Sequence, residues 1–150
     1  MKILIADDHD LLRDTLTMFL QGEGGIETVT AADLEDALGA IDTNSPFDLI
    51  ILDYSMPGMS GLNGLKVALS HSGGQRVALM SGIATRSIAE EALASGAAGF
   101  VPKTLSAKSL INAVRFMAMG EQYAPIDFMT AEDEAAAPNP LAEKLSRREM

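Results

Sequence analysis

The chain has no cysteine, which excludes disulfides, thiolate metal sites and cysteine nucleophiles outright. Positive charge is scarce: 11 Lys and Arg stand against 21 Asp and Glu, for a net charge of −10. Phosphate backbones and anionic lipids attract the opposite sign, so this segment is not expected to hold nucleic acid or a membrane surface by itself. No apolar run approaches the roughly 20 residues a spanning helix needs. Acidic residues from Asp7 onward leave no room for the basic start and apolar core of a secretory leader, so a cytoplasmic protein is expected. The glycines form neither G-x-G-x-x-G nor a P-loop, and no internal repeat is visible.

What is present is a regular alternation. With 150 residues, 47% of them hydrophobic, the chain has ample material for one core. Short apolar runs alternate with longer amphipathic stretches, the pattern of repeated βα units with parallel strands. Five units are expected, with strands at 2–6, 26–30, 48–52, 76–80 and 99–102 and helices at 10–21, 33–43, 62–70, 85–95 and 106–119. Gly22-Glu23-Gly24-Gly25, Asn44-Ser45-Pro46 and Ser72-Gly73-Gly74 stop the first three helices. Thr85 and Ser106 are candidate N-caps, and Leu110, Ile111, Val114, Met117 and Ala118 space out one buried stripe on the last helix.

The compact domain is expected to cover 1–125. Residues 126–140 are acidic, small and proline-punctuated, like a flexible linker. Residues 141–150 turn amphipathic and basic again, as in the first turn of a further domain whose body lies outside this chain.

Acids fall at the ends of the expected strands. Asp7-Asp8 follows the run Lys2–Ala6, Asp53 follows Phe47–Leu52, Ser81 follows the fourth strand and Lys103 the fifth. In a doubly wound sheet, ligands bind beyond the carboxyl ends of the strands. Three carboxylates brought together there repel one another and do not all stay ionised unaided. A hard divalent cation with oxygen ligands, Mg²⁺ keeping several waters, resolves the conflict. Asp53, on the middle strand with a mobile loop after it, is then the nucleophile toward a phosphoryl group. Asp7 and Asp8 hold the metal, the Ser55 backbone carbonyl adds a ligand, and Lys103 and the Ser81 hydroxyl bind phosphoryl oxygens. Taken singly, each residue has a plainer reading: a helix cap, a turn serine, a solvent-facing lysine. Their shared position at one end of successive strands outweighs those readings.

These motifs resemble the receiver domain of two-component response regulators over about residues 1–125. The acid pair matches Asp7-Asp8, the phospho-acceptor matches Asp53 within Asp53-x-x-Met56-Pro57-Gly58, the hydroxyl residue matches Ser81 and the lysine matches Lys103. The resemblance implies an α/β flavodoxin-like fold, a doubly wound five-stranded parallel sheet of order 2-1-3-4-5, and phosphotransfer from a histidine kinase or phosphotransfer protein. Asp7-Asp8-His9-x-Leu11-x-Arg13, Gly96-Ala97-x-Gly99-Phe100-x-Pro102-Lys103-Thr104 and Gly120-Glu121-x-Tyr123-x-Pro125 resemble receivers of the LuxR/NarL type. Leu145-Ser146-x-Arg148-Glu149 resembles the start of their helix-turn-helix domain. DNA would be bound only through that further domain. In the family the hydroxyl moves toward the phosphoryl group and an aromatic three residues before the lysine turns inward; Phe100 occupies that position.

Phosphorylation is expected to control a homodimer, through helix 4, strand 5 and helix 5 or through helices 1 and 5, with Arg13, Arg86 and Arg115 as candidates for pairing across an interface or for solvated faces. Ser55 and Ile83 match positions that flank the hydrolytic water in the family, and apolar Ile83 is expected to lengthen the phosphoryl lifetime. His9 reads as a helix-start residue. Thr104 stands where many receivers have proline, which leaves the Lys103–Thr104 isomer open. Two other functions compete. An aspartate-based Mg²⁺ phosphohydrolase normally has an acid two residues after its nucleophile, where this chain has Ser55. A receiver-like interaction module that is never phosphorylated would not need the intact acid set.

Overall fold

The computed structural model describes residues 1–82 and 86–124. The expectations for Thr85, Ile83 and Pro125, the linker 126–140 and the segment 141–150 lie outside the described residues. Ten elements alternate strictly: β1 Lys2–Ala6, α1 Asp10–Gly22, β2 Glu27–Ala31, α2 Leu34–Asn44, β3 Leu49–Asp53, α3 Asn63–His71, β4 Val77–Ser81, α4 Arg86–Ala94, β5 Gly99–Pro102 and α5 Ala107–Ala118. The strands form one sheet in the order β2-β1-β3-β4-β5, and every pairing is parallel. This is the doubly wound architecture the sequence predicts.

Strand alternation divides the interior into two layers. Leu4, Ile50, Leu52, Leu79 and Phe100 pack on one side of the sheet with Ala37 and Ile41 of α2, Leu65 of α3 and Ala89 of α4. Ile3, Ile5, Leu49, Ile51 and Met80 pack on the other with Leu16 and Leu20 of α1 and Val114 and Met117 of α5. Each such Leu or Ile contributes about 1.5–3 kcal/mol by leaving water. β3 and β4, central in the sheet, are buried along their whole length, which is why they read as unbroken apolar runs. β2, at an edge, exposes Glu27 and Thr30.

β2, β3 and β4 each run one residue later than the hydrophobic pattern suggests. The ladder decides this: Asp48 is spent on β1, its carboxylate accepting from the Lys2 amide at 2.7 Å, while Asp53 pairs with Met80 and Ser81 with Pro102. Asp53 and Ser81 are therefore the last residues of strands rather than the first of loops. Ser106 caps α5 as expected, accepting from the Ser109 amide at 3.2 Å, and the α5 stripe is buried, with Ala113 completing it and Ala118 partly exposed.

The segment after β3 is anchored, contrary to the expected mobile loop. Met56 and Met59 are buried in the layer with α2 and α3, and Pro57 accepts from the Leu34 amide at 3.1 Å. Gly58 permits the close approach, with φ of 93° and space that brings an added Cβ to 3.0 Å from Leu34 Cβ.

Candidate functional site

Parallel register places the ends of β1, β3 and β4 side by side. Asp7 continues β1, its amide donating to the Ala31 carbonyl at 3.0 Å, and Asp53 closes β3 beside it. Both carboxylates are fully buried, and Ser81 is nearly so. Lys103 follows β5, where its amide donates to the Ser81 carbonyl at 2.9 Å. The Lys103 ammonium then lies 3.1 Å from Asp53 Oδ2 and 3.2 Å from Asp7 Oδ2. Asp8 is half-exposed at the rim. Ser55 lies in the turn after β3, its amide donating to Asp53 Oδ1 at 3.3 Å. The Lys103–Thr104 bond is trans, since Ser45–Pro46 is the one cis peptide among the described residues.

The electrostatics are unbalanced. Asp7, Asp8 and Asp53 meet a single ammonium, and Oδ2 of both Asp7 and Asp53 lacks a directional hydrogen bond. Burial raises the Asp53 carboxyl above the usual aspartate range, and the Asp7 carboxylate pushes the same way; the Ser55 amide and Lys103 offset part of this. Buried lone pairs without donors and surplus negative charge suit a hard dication. The donor atoms also stand close enough, since one ligand atom each from Asp7, Asp8, His9 and Asp53 falls within 4.8 Å of all the others.

Two residues near the acids carry more than their sequence reading assigned. His9 does start α1, as expected, but its Nδ1 lies 3.1 Å from Asp7 Oδ1, 3.5 Å from Asp8 Oδ1 and 3.2 Å from Lys103 Nζ. Arg13 donates to the Asp7 carbonyl and to Asp10 Oδ1, both at 2.7 Å, holding the backbone that carries the acid pair. The signal was one of spacing: the Arg13 amide bonds to the His9 carbonyl at 2.9 Å, so the two lie one helical turn apart at the mouth of the site. Arg86 pairs with Glu90 on its own helix, and Arg115 bridges to Glu23 at the end of α1 at 3.2 Å, so both have partners within the chain.

Phe100 is fully buried, with its amide donating to the Tyr123 carbonyl at 3.1 Å. Tyr123 forms a parallel bridge with Gly99, placing the chain that leaves α5 on the open edge of β5. An added Cβ on Gly99 would stand 2.5 Å from Met117 Sδ and 2.9 Å from Tyr123 O. Only glycine accommodates that seam.

An open α/β sheet with a buried, cation-hungry acid cluster at its carboxyl edge, a lysine aimed at it and a hydroxyl beside it defines a protein of the phospho-aspartate receiver class. Residues 3–115 match the response regulator receiver domain family, and the chain belongs to that family, as a receiver domain of two-component systems. It is 32% identical over 139 residues to the glycerol metabolism activator of Pseudomonas putida, covering 92% of this chain and 63% of that protein. Among solved structures, it superposes with a TM-score of 0.75 and 32% identity on a LuxR family DNA-binding response regulator from Silicibacter pomeroyi, covering 85% of this chain and 98% of that one. It also superposes on the signal receiver domain of the protein designated NarL in Mycobacterium tuberculosis, at 0.73 and 34% identity over 80% and 97%. The similar proteins include ones of the LuxR/NarL type, and the chain spans less than two thirds of the length of the first curated proteins it matches.

Proposed function

We propose that this chain is the phosphorylation switch of a longer transcriptional regulator, with Asp53 as its single phospho-acceptor. The observation that carries the reading is the buried Asp53 carboxylate, 3.1 Å from Lys103 and pressed against Asp7 without enough positive charge. An Asp53 oxygen attacks the phosphorus of a phosphohistidine on a histidine kinase or phosphotransfer protein. The new O–P bond forms as the P–N bond breaks, and the departing imidazole nitrogen keeps the electron pair and takes up a proton. Asp7, Asp8, Asp53 and the Ser55 carbonyl would hold Mg²⁺, which would supply neutralisation of charge on the incoming oxygens. Lys103 and the Ser81 hydroxyl bind the remaining phosphoryl oxygens.

The added charge then acts on the β4–α4 connection through Ser81 and on β5 through Phe100. Homodimerisation and a DNA-binding domain after a 126–140 linker, beginning at 141–150, complete the proposal, with a cytoplasmic setting. No helix among the described residues is long and apolar enough to cross a membrane. Turnover is disfavoured because Ser55 stands where a phosphohydrolase needs its general acid. The protein thus acts as a switch rather than an enzyme.

Incubation with Mg²⁺ and a small phosphoryl donor, followed by intact mass measurement, is expected to give one acid-stable, base-labile phosphoryl group. Asp53→Ala is expected to give none. An unmodified parent, or an equal adduct on the variant, overturns the assignment; sustained phosphate release supports the hydrolase.

A further inference from the structure

His9 belongs to no step of the phosphotransfer just described, yet its ring enters the acid cluster. The two oxygens of Asp7 face different groups: Oδ2 faces Lys103, while Oδ1 accepts from the His9 amide at 2.8 Å and stands 3.1 Å from His9 Nδ1. Nδ1 is also 3.5 Å from Asp8 Oδ1 and 3.9 Å from Asp53 Oδ2, with the Lys103 ammonium 3.2 Å away as the group a cation there displaces. Donors about 2.1 Å from a six-coordinate cation stand about 3.0 Å apart when adjacent and about 4.2 Å apart when opposite. The 3.1 Å separation from Asp7 Oδ1 is close to the adjacent value and the 3.9 Å separation from Asp53 Oδ2 is nearer the opposite one, while Asp8 Oδ1 at 3.5 Å lies on a half-exposed side chain that can adjust. The buried Asp53 Oδ2, whose one charged neighbour besides the ring is Lys103 at 3.1 Å and which makes no well-aligned hydrogen bond, lies 3.9 Å from the same Nδ1.

We propose that His9 Nδ1 is a direct ligand when a transition dication, rather than Mg²⁺, occupies the acid cluster. The centre then takes transition dications of the nitrogen-seeking class more tightly than Mg²⁺. Magnesium favours oxygen donors in a near-ideal octahedron, whereas imidazole suits Ni²⁺ and Zn²⁺, with Ni²⁺ high in the divalent affinity series. His9 is placed for this by the turn from β1 into α1. Its amide is tied to Asp7, and Arg13 one turn later holds the Asp7 carbonyl. The other imidazole, His71, pairs with Asp42 at 2.8 Å on the far surface and serves as an internal control.

This inference rests on the acid cluster being the cation site, and its test contains no phosphoryl donor, so its outcome is separate from that of the Asp53 adduct. Calorimetric titration of the full 150-residue chain with NiCl₂ and with MgCl₂ is compared for the parent, His9→Ala and His71→Ala. The parent is expected to bind Ni²⁺ more tightly than Mg²⁺. His9→Ala is expected to lose at least about tenfold in Ni²⁺ affinity and to keep its Mg²⁺ affinity within about twofold. That retention also reports an intact fold. His71→Ala is expected to match the parent. Undiminished Ni²⁺ binding by His9→Ala, equal losses for both cations, or loss of Ni²⁺ binding in His71→Ala overturns the proposal.

Discussion

The two ends of β5 have opposite physical characters. At its start, Gly99 lies under Tyr123, the Tyr123 amide donates to Ala98 O at 2.9 Å and Phe100 donates to Tyr123 O. Gln122 adds side-chain bonds to the Leu93 and Ala97 carbonyls. Four residues on, the Lys103 ammonium alone is shared between two buried carboxylates. One end is saturated and closely packed, and the other is left short of positive charge. The first kind of arrangement contributes stability; the second leaves surplus negative charge of the kind found at functional sites.

The largest effect is expected from removing the one ammonium at the charge-poor end. Lys103→Ala is expected to slow phosphoryl uptake from a small donor by about a hundredfold, because a fixed donor to developing phosphoryl charge is lost. Timed intact mass measurement checks this, and a rate near that of the parent would take Lys103 out of the reaction. Gly99→Ala tests the saturated end. Its new methyl meets Met117 and the Tyr123 backbone, and about 1–3 kcal/mol of stability is expected to be lost. Urea unfolding measures the loss; unchanged stability would mean that the seam yields freely.

A smaller effect concerns pH. Because the Asp53 carboxyl is raised in the fold, the folded chain binds its proton more tightly than the unfolded chain. Stability from this group therefore falls as pH rises from the ordinary aspartate value of 3.8 through the raised folded value. Without divalent cation, Asp53→Asn is expected to flatten that slope and to melt a few degrees higher than the parent at pH 7. Melting curves across the acid range decide it, and coincident curves would remove the buried-charge account. The smallest effect is expected at the exposed Arg115–Glu23 bridge joining α5 to α1. Arg115→Ala is expected to cost within about 0.5 kcal/mol, and a larger loss would show that this bridge holds the two helices together.

Much of this was legible in the order of residues. The strand-helix alternation, the helix stops at Gly22 and Asn44 and the cap at Ser106 follow from local rules of period and capping, so they were readable within a residue or two. The acids were legible because a strand's carboxyl end is a defined place in any parallel sheet. The one-residue shift of β3 and β4 was not, since pairing partners rather than hydrophobicity decide where a ladder ends. His9 escaped for a related reason. Its backbone role as a helix start is local, but the direction of its ring depends on Asp7, Asp53 and Lys103 meeting from three separate strands. The anchoring of Met56 and Met59 likewise depends on α2 and α3 closing over a segment whose turn-forming residues suggest freedom.

By itself, then, the sequence determined the βα repeat, the parallel sheet and the presence of acids and a lysine at its strand ends, because period, turn chemistry and patterning act over a few residues. Only the tertiary structure decided how little charge offsets Asp53, which ring enters the acid cluster and which glycine must lie beneath Tyr123. Those are properties of distance and burial between residues far apart in the chain, and they exist only once the sheet has brought them together.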